Sequence, residues 1–268
     1  MAIIGGVFAY KILQVIGIRD LSSSSADTYY ADFEESKEKL EQFFGKDLSD
    51  RIKDKTVIDF GCGPGHDTIQ LAKMGASKVI GIDIQERLLS IGREVAEKNS
   101  VDDRCTFTTN TDELADIVIC KDAFEHFDDP AYVLDLMTDL LKPDGHIEIS
   151  FGPTWFHPYG GHLFSVFPWA HLLFTEKALI RWRADFKSDG ATKFSEIEGG
   201  LNQITIRMFE QIVDESSCRI EWFETMPIKG ISLFKSRLFR EFGSSIVRCK
   251  LVKKESMQQG RTEKNRFE

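Results

Sequence analysis

Residues 57–67, Val-Ile-Asp-Phe-Gly-Cys-Gly-Pro-Gly-His-Asp, constrain the fold more than any other stretch of the chain. A short apolar run ends in three glycines at alternate positions, and a helix-compatible segment follows. Glycine lets the backbone take positive φ and come close to a ligand, so the stretch reads as strand, tight turn and helix. The flanking pattern agrees. Apolar runs at 56–60, 78–82, 105–109, 115–120 and 146–151 predict strands. Helical spacing at 67–74, 85–99 and 130–141 predicts the elements between them, with a turn at 142–145 before the fifth strand. Strands alternating with helices over short connections imply a doubly wound, Rossmann-like α/β fold, a mostly parallel sheet with helices on both faces. Beyond it a helix is expected at 203–216, a strand at 218–226, a helix at 232–242 and a last strand at 245–252.

A chain of 268 residues with 42% hydrophobic and 29% charged residues has ample material for one large domain. The expected organisation is an N-terminal helical extension at 1–54 and a main domain at 55–252 with an aromatic-rich insert at 152–202. A polar, disordered tail is expected at 253–268. Within the extension, 33–53 reads as an amphipathic helix broken near Gly45. The formal charge of −9 disfavours a nucleic-acid partner, because a phosphate backbone needs a basic surface. Five cysteines, at 62, 105, 120, 218 and 249, include no CxxC pair and fit neither a disulfide framework nor a zinc site. No metal is expected, and reduced thiols suit a cytoplasmic protein. The run at 2–18 is apolar but interrupted by Lys11, and shorter than the roughly 20 residues a bilayer span needs. It also lacks the order of charge, apolar stretch and small residues that marks a signal peptide. A packed helix is the favoured reading of it; an interfacial anchor or a flap over a pocket is the other.

Two acids sharpen the glycine turn. Asp59 stands two residues before the first glycine, and Asp83 ends the next strand. The G-x-G-x-G spacing is tighter than the G-x-G-x-x-G of nicotinamide and flavin binders. An acid at the end of the second strand can accept both hydroxyls of a ribose. An acid ahead of the turn disfavours a pyrophosphate and suits a ligand with a positive amino group. In order, VIDFGCGPG at 57–65, VIGIDI at 79–84, ADIVICKDAFEHFDDP at 115–130 and LKPDGHIEIS at 141–150 resemble the class I S-adenosylmethionine-dependent methyltransferases. The resemblance covers 55–151. It implies seven strands with the last antiparallel, S-adenosyl-L-methionine as cofactor, and a set of binding residues. Gly61, Gly63 and Gly65 would line the methionine part. Asp59 would order the loop and face the amino group. Asp83 would hold the ribose, with Ile84 packed on the adenine. Lys121 and Asp122 would flank the methionine part, mainly through backbone. Asp112, in the short loop after the third strand, would meet the adenine amine. Tyr30 would cover the cofactor from an N-terminal lid. Asp59 as a simple turn cap, and Asp83 as the N-cap of the next helix, are the structural alternatives.

Residues 151–174 hold eight aromatics and three of the six histidines, and follow the fifth strand directly. Ligands of an open parallel sheet bind outside the carboxyl ends of its strands, so this segment is placed to form an acceptor pocket. His157 and His162 flank Pro158-Tyr159-Gly160-Gly161, and either is a candidate general base for a hydroxyl acceptor. His126, after the fourth strand, is a third candidate, with a structural role in orienting the turn as its alternative. The aromatics suit a small planar or hydrophobic acceptor, or else a satellite core under a long loop. A nicotinamide-dependent oxidoreductase and a non-catalytic binding protein on the same fold remain the competing functions, and the residues do not specify an oligomeric state.

Overall fold

The computed structural model describes residues 2–16, 33–197, 199–237 and 239–254. Helix α1 (Gly6–Ile16) precedes α2 (Phe33–Phe44) and α3 (Leu48–Ile52), which are separated at Gly45. Then come β1 (Thr56–Phe60), α4 (His66–Lys73), β2 (Lys78–Ile82), α5 (Glu86–Lys98), β3 (Cys105–Thr108) and β4 (Ala115–Lys121). After these follow α6 (Pro130–Asp139), β5 (Leu141–Phe151), α7 (Ala170–Leu173), α8 (Glu176–Arg183) and α9 (Ile206–Glu215). The chain closes with β6 (Cys218–Pro227), α10 (Arg240–Gly243) and β7 (Ser244–Lys253).

The seven strands form one sheet in the order β3-β2-β1-β4-β5-β7-β6. β1 to β5 run parallel, and β7 lies antiparallel between β5 and β6. Alternate residues of one strand enter different cores. Val57, Val79, Ile117 and Ile119 pack with Leu40 of α2, Ile69 of α4 and Leu89 of α5. Ile58, Ile80, Val118 and Cys120 pack on the other face with Leu134 of α6 and Phe209 of α9. A strand buried on both faces reads as an unbroken apolar run, and each such Val or Ile contributes about 1.5–3 kcal/mol by leaving water. A third core lies off the sheet: Ala9 and Leu13 of α1 with Phe164, Phe174, Leu179 and Trp182.

Helix starts are set by local chemistry. The Asp129 carboxylate accepts from Tyr132 N–H with Pro130 in the first turn of α6, and Thr205 Oγ1 accepts from Met208 N–H at the start of α9. Two expectations are corrected. The turn at 142–145 does not precede β5 but bulges within it, since pairing with β4 jumps from Ala115–Leu141 to Ile117–His146. The segment 232–242 is not one helix: a single 3₁₀ turn at Ser232–Lys235 is followed by α10. The chain folds back so that the Phe234 ring covers Gly243, leaving no room for a Cβ there.

Candidate functional site

The glycine turn leaves β1 at the carboxyl edge of the sheet. Gly61 and Gly65 take φ of 81° and 80°. A Cβ at Gly61 would sit 2.7 Å from that of Ala123, and one at Gly65 would overlap the Phe107 ring. Both are therefore fixed by packing. Gly63 differs: its φ is 52°, and nothing lies within 4 Å of where a Cβ would stand. The open space beside Gly63 is the cradle a ligand would fill.

The hydrogen bonding of this loop selects among ligands. Gly61 N–H and Cys62 N–H donate to Ile82 O at 2.8 and 2.9 Å, and Gly65 N–H donates to Cys62 O at 2.9 Å. Gly63 N–H donates to Asp83 Oδ2 at 2.9 Å. Pro64 has no N–H, so from Gly61 to Gly65 every donor is spent. A phosphate-binding loop aims free N–H groups at its anion. This loop has none to offer, and what remains are carbonyl acceptors suited to a cationic amino group.

Charge points the same way. Asp59 is buried, its Oδ2 accepts from Thr68 Oγ1 at 2.6 Å, and burial together with nearby Asp67 pushes its carboxyl well up. Asp67 also accepts from Ser36 Oγ and pairs with Lys121 Nζ at 3.0 Å, and Lys121 lies 3.4 Å from Asp122. Lys121 is thus a side-chain tie between β4 and α4. Asp122, at φ 51°, anchors its N–H on Ser150 O. The edge gathers more carboxylates than cations, an environment for a positive ligand.

Asp83 does two jobs at once. Oδ2 holds Gly63, and Oδ1 accepts from Gln85 N–H at 2.8 Å ahead of α5. Both oxygens keep further lone-pair capacity for a ribose. Ile84 beside it is 91% exposed, a bare apolar side chain at the mouth of the site. The loop after β3 returns to the amino end of β4 without a helix. It leaves a cavity of about 360 Å³ lined by Phe60, Ile82, Thr111, Asp112 and Leu136. Asp112 lies on this crossing, and Thr109 and Asn110, which line the same cavity, stand nearer the Asp83 end. A larger cavity, about 500 Å³, opens at the amino end of the sheet between Arg51, Asp116 and His146. It is on the wrong edge to be reached from the glycine turn. Tyr30 lies outside the described residues.

The three histidine candidates separate. His126 and His162 meet, their rings 5.4 Å apart and edge to face. Gly200 O lies 3.0 Å from His126 Nδ1. A carbonyl can only accept, so Nδ1 carries the proton and the Nε2 lone pair of neutral His126 is left as a base. His162 sits at φ 50° with Nε2 buried and unpartnered, and burial pulls its pKa down to about 4. His157 stands apart from this pair. Its Nδ1 accepts from Tyr159 N–H at 3.0 Å, so the neutral ring carries its proton on Nε2, 3.5 Å from Ser245 Oγ. His171 is likewise committed, between Ser165 Oγ and Trp155 O.

Two residues absent from the sequence-level site complete it. Asn202 Nδ2 donates to both Phe124 O and Phe127 O at 2.9 Å, and Asn202 N–H donates to Glu125 O. It staples the far end of the insert to the turn that carries His126. Glu125 is buried: Oε1 accepts from Gly152 N–H, Oε2 has no partner, and burial raises its pKa to about 7. Nothing in residue spacing links 124–127 to 200–202; only the folded insert does. Among the described residues no three His, Cys, Asp or Glu side chains group as metal ligands.

Known proteins resemble the chain over the segment that carries this edge. Residues 52–152 match the family model for a methyltransferase domain. The ribosomal protein L11 methyltransferase of Photobacterium profundum is 37% identical over 115 residues, 41% of this chain and 37% of that protein. The ubiquinone biosynthesis O-methyltransferase of Neisseria meningitidis serogroup C is 35% identical over 106 residues, 37% of this chain and 44% of that protein. The chain thus spans less than half the length of these curated relatives. Among solved structures, a putative S-adenosylmethionine dependent methyltransferase from Listeria monocytogenes superposes with a TM-score of 0.53 at 17% identity, covering 83% of this chain and 99% of that one. A putative sarcosine dimethylglycine methyltransferase from Galdieria sulphuraria gives 0.52 at 12%, covering 91% and 97%. The fold is shared with both.

Proposed function

We propose that this chain, whose residues 52–152 match the family model for a methyltransferase domain, is a class I S-adenosylmethionine-dependent methyltransferase that transfers a methyl group to a hydroxyl of a small acceptor with an apolar body. The observation that carries the cofactor half is the Gly61–Gly65 loop with its N–H groups spent and carboxylates around it. The residues fit S-adenosylmethionine: Gly63 offers open space, Asp83 a ribose acceptor, Ile84 an apolar cover, and Thr109, Asn110 and Asp112 polar atoms along the adjoining cavity. When bound, that cofactor supplies an electrophilic methyl on a sulfonium, so the chain has only to bind, orient and deprotonate.

The hydroxyl proton goes to His126 Nε2, the nitrogen left free by the Nδ1 contact with Gly200. His162 is a weak base and stays neutral at pH 7. It holds the His126 ring edge-on. Glu125, fixed on Gly152 at the start of the insert, positions the turn that presents His126. Relatives of protein-directed and small-molecule kinds both match only the cofactor half. The small, apolar acceptor rests on the aromatic content of the insert, which packs as its own core and brings His162 against His126.

Calorimetric titration with S-adenosylhomocysteine, with NAD as control, tests the reading. Binding of the former alone, weakened about a hundredfold by Asp83→Ala through loss of charge-assisted bonds, is expected. Binding of NAD in its place would overturn it.

A further inference from the structure

Twelve of the eighteen large apolar side chains exposed among the described residues fall in three segments: 2–16, 151–175 and 227–243. These segments are contiguous. Ile3 N–H and Ile4 N–H donate to Leu173 O, at the end of α7. Trp169, at its start, donates from Nε1 to Phe156 O, and the Phe156 ring packs on Phe242 at 5.4 Å. The result is one apolar surface running from α1 across α7 to α10. It lies on the carboxyl edge of the sheet, because the insert follows β5 there and β7 begins there beside Gly152.

Helix α1 is split by its own geometry. Ala9 and Leu13 are fully buried on the insert, whereas Phe8 is 70% and Val15 85% exposed. Monomeric proteins rarely leave such continuous apolar surface open to water. Charge identifies what covers it. The chain carries −9 overall, yet 2–16 holds only Lys11, and 151–175 holds no Asp, Glu, Lys or Arg. Segment 227–243 holds Lys229, Lys235 and Arg237 against Glu241, with Arg240 turned inward and paired with Glu210. Apart from Asp185, which accepts from Tyr10 and Gln14 at the edge of α1, these three segments thus carry cations in excess of carboxylates on a chain that is acidic overall. Apolar side chains rimmed by cations fit an anionic lipid surface, where the former enter the headgroup boundary and the latter meet phosphate. Among the described residues no helix is long and apolar enough to span a membrane, which leaves peripheral contact.

We propose that this face docks the protein on an anionic phospholipid bilayer, with α1 lying in the interface. Docked so, the acceptor side of the site opens toward lipid, which suits an acceptor with an apolar body; the docking itself does not depend on that reading.

Flotation of the full chain with vesicles tests it without any need for turnover. Vesicles of phosphatidylcholine containing roughly one-third phosphatidylglycerol should carry the protein upward, and phosphatidylcholine alone should carry at least about tenfold less. Phe8→Asp with Leu233→Asp should abolish flotation. Lys229→Glu with Arg237→Glu, which leaves the apolar face intact, should remove only the preference for anionic vesicles. Trp222→Ala, at an exposed aromatic on β6 outside the face, should change nothing. Absence of flotation with any vesicle, or flotation indifferent to both double variants, overturns the proposal. So does a concentration-dependent dimer that the Phe8/Leu233 variant dissociates while no vesicle binds, which would make the face a contact between copies.

Discussion

The segment Thr56 to Phe151 and the insert that follows it hold the two halves of one site by different means. In the first, position is set by backbone. Asp83 fixes Gly63 and the start of α5 through N–H groups, and Gly61 and Cys62 hang on Ile82 O. In the insert, position is set by side chains reaching across sequence: Asn202 to Phe124 and Phe127, His126 to Gly200, Glu125 to Gly152. A backbone-built cradle tolerates change in everything except its glycines and acids. A side-chain-built pocket can be remade by a few substitutions, which is how one cofactor fold serves many acceptors. The family match stops at residue 152, where the second kind of construction begins.

Substitutions that hit one half and spare the other separate the two. The largest effect is expected from His126→Gln. It should lower turnover by about 10²–10⁴-fold on an acceptor that the parent methylates, with affinity for S-adenosylhomocysteine within about twofold of the parent. A matching loss of affinity would mean that His126 belongs to the cofactor half. Asn202→Ala comes next. It strips the partner from two backbone carbonyls and should cost about 1–3 kcal/mol of stability in denaturant unfolding. Turnover should fall with it and cofactor affinity should hold.

The third effect is a pH dependence. Glu125 has its pKa raised from 4.5 to about 7 and Asp59 is raised in the same direction. The native state holds these protons to higher pH than the unfolded chain, so their contribution is complete below about pH 4 and is lost as pH rises through 7. His157 and His162 are lowered from 6.5 to about 4, so their contribution is present above 6.5 and is lost as pH falls toward 4. The two sets oppose each other between about pH 4.5 and 6.5, so stability should be nearly flat there and decline from about 6.5 to 8 as the carboxyls ionise. Glu125→Gln should flatten that alkaline limb by on the order of 1 kcal/mol; an unchanged limb would show that Glu125 is already ionised in the native protein. The smallest effect is that of His157→Gln, under about twofold in turnover, because its ring is committed to Tyr159.

The same contrast explains what the sequence discloses. Strands β1, β2 and β4 are legible because both faces are buried and the run is almost wholly apolar, with Asp59 in β1 and Asp116 in β4 as the exceptions. Seven strands with an antiparallel last one follow from the family resemblance and are observed, whereas their order comes from the structure. Asp83 is legible as an acid at a strand end, but its hold on Gly63 is not, since it needs the loop folded back over β2. His126 and His162 lie 36 positions apart, and no periodicity joins them; their meeting depends on the insert. The position of α1 is equally hidden. Its apolar run announces burial, yet only half of the helix is buried, because α8 offers a single face for Ala9 and Leu13.

Hydrogen exchange measured by mass spectrometry, with and without S-adenosylhomocysteine, tests the central claim that the cofactor half is the carboxyl edge around Gly63 and Asp83. The account predicts protection confined to about 59–67, 82–88, 107–114 and 120–123, with α8 and the amino-end cavity around Arg51 and His146 unaffected. Protection centred on that amino-end cavity, or none along the glycine loop, would contradict it.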